Sequence, residues 1–332
     1  MKILVTGGAG FIGNNFIRYW LEKYPSDVVF NLDKLTYAGH LSSTNDFKDN
    51  KNYTFVKGDI CDRRLVDSLV KGVDLIVHFA AESHVDRSIK DPEIFVKSNV
   101  LGTHVLLESA LNNKLKRFHH VSTDEVFGSL PLNSTKKFNE NTPYDPRSPY
   151  SASKAAADHF VRAYHTTYGL DVTITNCSNN FGPFQDPEKM LPRFITNLID
   201  GKKVPIYGDG NYVRDWLFVE DHCRAIDVVV HQGTSGETYL VGGQHKEINN
   251  MNITRTLLSL FDYGDEMIEY VTDRPGRDRR YSVDFSKMKK NFKWEPQHEF
   301  DVWLEKTVAW YRENEWWWRP LKESSEKIYR AK

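Results

Sequence analysis

Tyr150 and Lys154 stand four residues apart, as Y-x-x-x-K, at the start of a stretch with helical spacing. On a helix that spacing puts both side chains on one face. A free tyrosine has a pKa of about 10 and is a poor base at neutral pH. A neighbouring ammonium favours the phenolate, which makes Tyr150 a candidate base for a hydroxyl proton and Lys154 its support. Alone, the same four-residue pattern describes a surface tyrosine beside a surface lysine. A second set lies upstream, where the run ending at Val121 continues into Ser122-Thr123-Asp124-Glu125. Two adjacent carboxylates supply one acid and one base when their surroundings separate their pKa values. An isolated Asp-Glu pair is a solvated loop, so its placement in the fold decides its chemistry.

The chain opens ILVTGGAGFIG, with Gly7, Gly10 and Gly13 spaced G-x-x-G-x-x-G. Glycine permits a tight strand-to-helix turn and lets backbone approach a pyrophosphate, while the following helix presents its first N–H groups. A lone glycine triplet is a turn. Here a strand precedes it, a helix follows, and Asp33 ends the next strand 20 residues after Gly13. A carboxylate there accepts adenosine ribose hydroxyls and repels a 2′-phosphate, so the expected cofactor is NAD rather than NADP. Oxidised nicotinamide adds positive charge that also favours a Tyr150 phenolate. Asp59, in KGDICD, is placed either to meet the adenine or to cap the next helix.

These groups need a scaffold that brings strand ends together. Short apolar runs at 2–5, 28–32, 54–56, 74–79, 117–121 and 171–176 alternate with helical stretches at 11–24, 64–71, 92–113 and 149–168. The alternation predicts an α/β fold: a Rossmann-like doubly wound parallel sheet, with ligands at the carboxyl ends of the strands. After about residue 180 the rhythm loosens into Asn-, Gly-, Pro- and Asp-rich patches, which predicts a smaller C-terminal substrate-binding α/β lobe. The expected division is a dinucleotide domain over 1–178, re-entered around 212–243, and a second lobe over most of 179–332. Its 332 residues fit one large α/β unit or two lobes sharing a seam. Charge nearly cancels, 44 Lys+Arg against 45 Asp+Glu, which removes the electrostatic reason to expect nucleic acid or an anionic membrane. Cys61, Cys177 and Cys223 form no close pair and no apolar run approaches spanning length, so a reducing cytoplasm is expected. His84, His119 and His120 lack the spacing of a metal site, and none is expected.

Taken together, TGGAGFIG, LDKLTYAG, FAAESHVDRSI, STDEVFG, YSASKAAAD, NNFGP, RDWLFVEDH and RPGRDRRY resemble the extended short-chain dehydrogenase/reductase family, and within it the dTDP-glucose 4,6-dehydratases. The matches run over nearly the whole chain. Epimerases of the same fold usually lack the Asp-Glu pair, and GDP-mannose dehydratases carry a different acid set. The resemblance implies one tightly bound NAD, regenerated each turnover. Tyr150 takes the sugar 4-hydroxyl proton as hydride leaves C4, Glu125 removes the C5 proton, Asp124 protonates the departing C6 hydroxyl, and hydride returns to C6. It implies that Thr123 bonds the 4-hydroxyl and that Lys154 holds the nicotinamide ribose. It extends the cofactor site to Phe11, Ile12, Lys34, Thr36, Ile60, Ala80 and Ala81.

For a nucleotide-sugar substrate the resemblance points to Arg214 and Arg274 at the phosphates, since the guanidinium fork matches phosphate oxygens. It places Ser83, Asn180 and Asn249 at the sugar and phosphates. Lys189, Leu191 and Pro192, with Pro205, Ile206 and Tyr207, are expected to enclose the base. Arg277 stands where histidine is common in such dehydratases. The resemblance also implies a homodimer, with the helices at 92–113 and 149–168 pairing across the interface. The segment Trp316 to Trp318 is expected to pack. A UDP-glucose 4,6-dehydratase keeps the same residues, a sugar-nucleotide 4-epimerase needs Tyr150 and NAD without the carboxylate pair, and a non-catalytic NAD sensor needs NAD alone, without the Tyr, Lys, Asp and Glu set.

Overall fold

The computed structural model describes residues 1–243, 247–273 and 278–330, with side chains to 324. In chain order, β1 (Lys2–Thr6), α1 (Phe11–Lys23), β2 (Val28–Asp33), β3 (Tyr53–Lys57), α2 (Arg63–Val70) and β4 (Leu75–His78) form the first half of the sheet and its helices. The short helices α3 (Val85–Lys90) and α4 (Pro92–Phe95) lead into α5 (Gly102–Asn112), β5 (Arg117–Thr123), α6 (Pro149–Tyr168) and β6 (Val172–Cys177). Next come β7 (Asn179–Phe181), α7 (Met190–Ile199), β8 (Val204–Tyr207), β9 (Val213–Arg214), β10 (Trp216–Phe218), α8 (Val219–Gln232) and β11 (Thr238–Val241). The chain closes with β12 (Ile248–Asn249), α9 (Asn250–Leu260), β13 (Ile268–Val271), α10 (Ser286–Phe292), α11 (Phe300–Glu313) and α12 (Glu315–Arg330).

Seven strands make the central sheet, in the order β11-β6-β5-β4-β1-β2-β3, and every pairing is parallel. All residues of β4, β6 and β11 are buried, as expected for strands covered by helices on both faces. Strand order reverses between β1 and β4, and the crevice at their carboxyl ends is the ligand position of such sheets. On α1, Phe16, Ile17, Trp20 and Leu21 are buried in the main core, which runs on through Leu191 of α7 and Trp318 of α12. Each such side chain contributes roughly 1.5–3 kcal/mol by leaving water. Outside the main sheet, β8 pairs with β13, β7 with β10 and β9 with β12.

The helix expected over 92–113 is interrupted. Val96–Leu101 is a π-helical turn between α4 and α5. The wider turn aims Asn99 inward, where its amide accepts from Glu82 N (2.8 Å) and donates to Glu82 O (3.0 Å) and Ser153 Oγ (2.8 Å). Thr103 Oγ1 donates to the Asn99 carbonyl (2.6 Å). A single extra residue in a turn leaves the apolar pattern almost unchanged, so it is invisible in the periodicity. Among the described residues no helix is long and apolar enough to cross a membrane.

Candidate active site at the strand ends

The glycine turn between β1 and α1 forms one end of a cleft. Gly7 has φ +76°, and a Cβ there would lie 2.6 Å from Ala80 N, so only glycine fits against the β4 exit loop. A Cβ at Gly13 would collide with the Gly7 carbonyl oxygen, which explains the close seating of α1. Gly10 differs: a Cβ there meets only Gly7 O (3.2 Å) and Ala38 O (3.8 Å) and otherwise faces open space. The N-terminus of α1 has no side-chain cap and no acidic residue in its first turn. An uncapped helix start behind a bare glycine fits a pyrophosphate. Asp33, at the end of β2, accepts from Ala9 N (2.9 Å) and Leu35 N (2.8 Å). Burial raises its pKa, with those two N–H groups opposing. Phe11, Ile12, Lys34, Thr36, Ile60, Ala80 and Ala81 line the same cleft, with Gly7, Gly10, Gly13, Asp33 and Asp59. The cap of α2 is Asp62, which accepts from Leu65 N (3.2 Å); Asp59 instead pairs with Lys34 (2.7 Å) at the cleft wall.

The far end of that cleft holds Thr123, Asp124, Glu125, Tyr150 and Lys154. Strand β5 ends at Thr123, and Asp124–Phe127 forms one 3₁₀ turn. Thr123 Oγ1 accepts from Glu125 N (3.2 Å) and donates to Asp124 Oδ1 (3.4 Å). Asp124 is 1% exposed. Burial drives its pKa well above the carboxylate range, Glu125 and Asp215 add to this, and Arg214 opposes it. On α6, Ser148 and Ser151 form a capping box with Pro149 in the first turn, and this fixes Tyr150 at the helix start. Tyr150 is buried, and desolvation followed by Glu125 drives its phenol well above 10. These protein groups favour the neutral phenol, and a cation in the cleft would favour the phenolate. Lys154 lines the cleft and is also tied to β5. Its Nζ donates to Val121 O (2.9 Å) and lies 3.4 Å from His120 Nε2, while burial brings its pKa down to about 8.

A second cleft of about 580 Å3 adjoins the first, and Ser83, Glu125, Asn179, Asn180, Gln185 and Lys189 face both. Leu191, Tyr207 and Arg214 also line it. The Arg214 guanidinium is fixed by Val213 O (2.8 Å) and Asp278 O (3.0 Å) and lies over the Tyr281 ring at 4.2 Å. Lys189 Nζ donates to Ser83 O (2.8 Å), and Asn180 Oδ1 meets His222 Nδ1 (3.0 Å). Four expected residues lie elsewhere: Pro192 is buried in α7 and Ile206 in β8. Pro205 sits inside β8, and the Asn249 side chain caps α9 by accepting from Asn252 N (2.7 Å), leaving Asn250 on the cleft wall. Arg274 and Arg277 lie outside the described residues. Sequence reasoning missed Arg147, Arg193, Asp278 and Tyr281, which all line this cleft. Arg147 stands three residues before Tyr150, and Asp278 and Tyr281 belong to the RPGRDRRY segment already singled out.

The remaining motif residues are structural in their contacts. His119 sits between Thr173 Oγ1 (2.9 Å) and Thr175 Oγ1 (3.1 Å) on β6. Among the described residues no group of three or more His, Cys, Asp and Glu is placed to hold a metal ion. Trp317 and Trp318 are buried, bonded to Ser43 Oγ and Tyr311 O, while Trp316 is exposed.

A dinucleotide cradle, a tyrosine on a capped helix and two carboxyl groups at one strand end define an enzyme of the sugar-nucleotide dehydratase class. The chain belongs to the GDP-mannose 4,6 dehydratase family, whose model matches residues 4–307. It is 49% identical over 330 residues to a dTDP-glucose 4,6-dehydratase of Streptomyces niveus, covering 98% of this chain and 97% of that protein. It is 50% identical to the enzyme of that name from Streptomyces antibioticus, covering 97% and 96%. Among solved structures, DesIV from Streptomyces venezuelae, a dTDP-glucose 4,6-dehydratase crystallised with NAD, superposes with a TM-score of 0.94 at 48% identity, covering 97% of this chain and all of that one.

Proposed function

We propose that this protein is a dTDP-glucose 4,6-dehydratase, converting dTDP-glucose to dTDP-4-keto-6-deoxyglucose and water. The observation that carries the reading is the placement of Asp124 and Glu125 beside Tyr150, in a cleft whose other end is built for a dinucleotide. An epimerase requires no such acid, and the identity to named dehydratases near 50% supports the same choice.

NAD fits the cradle at Gly7, Gly10, Gly13 and Asp33, and when bound it supplies a hydride acceptor and then a hydride donor, so none is consumed. The chain's own residues then manage protons. Tyr150, as the phenolate that a cation in the cleft favours, receives the proton of the sugar 4-hydroxyl, with Thr123 bonded to that oxygen. Oxidation at C4 makes the C5 hydrogen acidic, and Glu125 removes it. Asp124, kept protonated by burial, gives its proton to the departing C6 oxygen, so water leaves. A carboxyl group enclosed at a strand end and one open to the substrate cleft are the acid and base this requires. Arg214 and Asn180 hold the nucleotide diphosphate in the adjoining cleft, Lys189 helps enclose the base, and Arg147 and Tyr281 complete the wall.

The lobe division at about 178 assigns the first cleft mainly to one part of the chain and the second mainly to the other. The protein works as a homodimer: Ile94, Val96, Leu101 and Phe160 are large apolar side chains at least 36% exposed on the 92–113 segment and α6. Cys61, Cys177 and Cys223 are free thiols, in keeping with a reducing cytoplasm. The deciding experiment is mass spectrometry of products after incubation with dTDP-glucose and UDP-glucose in parallel. Loss of one water from the dTDP sugar is the expected result. Loss from the UDP sugar alone overturns the base preference and keeps the mechanism, and isobaric epimerised product overturns the dehydratase.

A further inference from the structure

Behind the reactive face of α6 lies a closed polar cluster. Asp158 stands four residues after Lys154, on the same face, and is fully buried. Between them, from β5, comes His120, whose Nε2 is 3.4 Å from Lys154 Nζ and 3.2 Å from Asp158 Oδ1. Asp158 Oδ2 accepts from Tyr144 OH (2.7 Å), Ser122 Oγ (3.0 Å) and Asn176 Nδ2 (3.2 Å). Tyr144 OH in turn accepts from Arg162 (2.7 Å), at the edge of the protein. A buried carboxylate with three donors on one oxygen is held rigidly and kept ionised.

We propose that Asp158 is a positioning residue for catalysis: its negative charge, held one imidazole away from the Lys154 ammonium, keeps that ammonium charged at the end of β5. The role of Lys154 in turnover rests on the dehydratase reading; the linkage of Asp158 to Lys154 does not. Every group facing the pair bears on this. His120 and His78 are uncharged at neutral pH, since burial lowers His120 to about 4 and His78 well below its ordinary value. Cys177, on β6, is pushed up to about 12 by burial and remains a thiol. Tyr150 is a neutral phenol, and Tyr144 is raised above its ordinary value by burial and Asp158. Arg162 is a cation on the far side of Tyr144 and helps keep His120 uncharged. Asp158 is thus the anion that offsets the burial of Lys154, and burial has already brought Lys154 to about 8. Burial also opposes the Asp158 charge, yet the His120 hydrogen bond, the Lys154 ammonium and Tyr144 bring that carboxyl to about 2.

One histidine nitrogen faces both partners. A neutral imidazole Nε2 accepts from Lys154 or donates to Asp158, not both at once. The charge on Asp158 therefore sets how firmly Lys154 is tied to β5 and how freely it turns toward a ligand in the cleft.

The test is Asp158→Asn, which keeps the shape and removes the charge. Lysine labelled with 13C at Cε is incorporated into the wild-type, Asp158→Asn and Lys154→Met proteins, and the resonance missing from Lys154→Met belongs to Lys154. In the wild type this resonance should titrate near pH 8. In Asp158→Asn its midpoint should fall by about one unit or more. The alkaline limb of kcat for dTDP-glucose should move down by the same amount, with KM unchanged. A merely structural role lowers kcat at every pH and moves no midpoint. Equal Lys154 midpoints in the two proteins overturn the proposal. Should Asp158→Asn not fold, Asp158→Ser removes the same charge with less bulk and is read in the same way. Wild-type protein inactive on dTDP-glucose overturns the functional reading, while the lysine titration still decides the role of Asp158.

Discussion

Asp124 and Glu125 are consecutive in the chain yet sit in different media: Asp124 is 1% exposed, whereas Glu125 is half-buried and lines both clefts. The 3₁₀ turn after β5 produces the difference by folding one side chain beneath the strand end and the other toward the substrate side. Separation of environment is what lets one carboxyl group remain an acid while its neighbour acts as a base.

Asp124→Asn should therefore stop water loss without stopping oxidation at C4. An amide cannot give up a proton, and loss of a positioned acid costs about 10²- to 10⁴-fold. Quenched reactions examined by mass spectrometry should show a 4-keto sugar nucleotide that retains its C6 oxygen. Glu125→Gln should instead abolish exchange of the C5 hydrogen with deuterated solvent. A variant Asp124→Asn that turns over at the wild-type rate removes Asp124 from the mechanism.

The glycines of the first turn should separate by function. Gly10→Ala places a methyl group 3.2 Å from Gly7 O at φ −81°, which needs only a small adjustment, so folding should be preserved while the methyl intrudes on the cradle. We expect a melting temperature within a few degrees of wild type and NAD affinity, measured by calorimetry, at least tenfold weaker. Gly7→Ala places a Cβ at positive φ and against the Ala80 backbone, so it should destabilise the fold by about 2 kcal/mol or more. Unchanged NAD binding in Gly10→Ala would show that the cradle lies elsewhere.

The central sheet and its ligand edge were legible because buried parallel strands read as short apolar runs and strand ends carry the site. Asp33, Thr123, Asp124 and Glu125 end strands or follow them directly, and each lies on the cleft wall. The second cleft was harder to read. Asp278 and Tyr281 reach it through long-range bridges, Phe138 to Val283 and Val213 to Arg280, which leave no local period. Asn249 shows the opposite difficulty, since a polar residue before a helix also serves as its cap. The inward turn of Lys154 depends on His120 and Val121 of β5, which no spacing within α6 encodes.

Acid should unfold this protein early. His78 and His119 have pKa values well below 6.5, His120 about 4 and His222 about 3, each chiefly through burial. Between those values and 6.5 the unfolded chain binds protons that the folded chain cannot, so stability rises with pH across the window. Asp124 and Asp215 act oppositely, because burial raises their pKa values, that of Asp215 to about 6, and the folded state then holds their protons. Asp33, Glu82, Glu140 and Asp278 are also raised by burial and lessen the effect of the four histidines, and each net proton is worth about 1.4 kcal/mol per pH unit. The urea midpoint should fall between pH 6.5 and pH 5. A flat midpoint across that range contradicts uncharged burial of the histidines.

The apolar face of the 92–113 segment and α6 should control assembly. Leu101 is 47% exposed and Phe160 40%, with Val96 at 56%, more apolar surface than a monomer of this size needs to leave open on adjoining helices. Packing these helices against their copies in a second chain buries that face around a two-fold axis, which makes the contact self-complementary. A charge within such an interface would appear twice, so Leu101→Glu would bury a carboxylate from each chain. Sedimentation should show a dimer for the wild type and a monomer for Leu101→Glu with Phe160→Asp. Both side chains are already solvent-exposed within one chain, so the melting transition of the variant should become independent of protein concentration, not disappear. A variant that still sediments as a dimer would place the interface on another face.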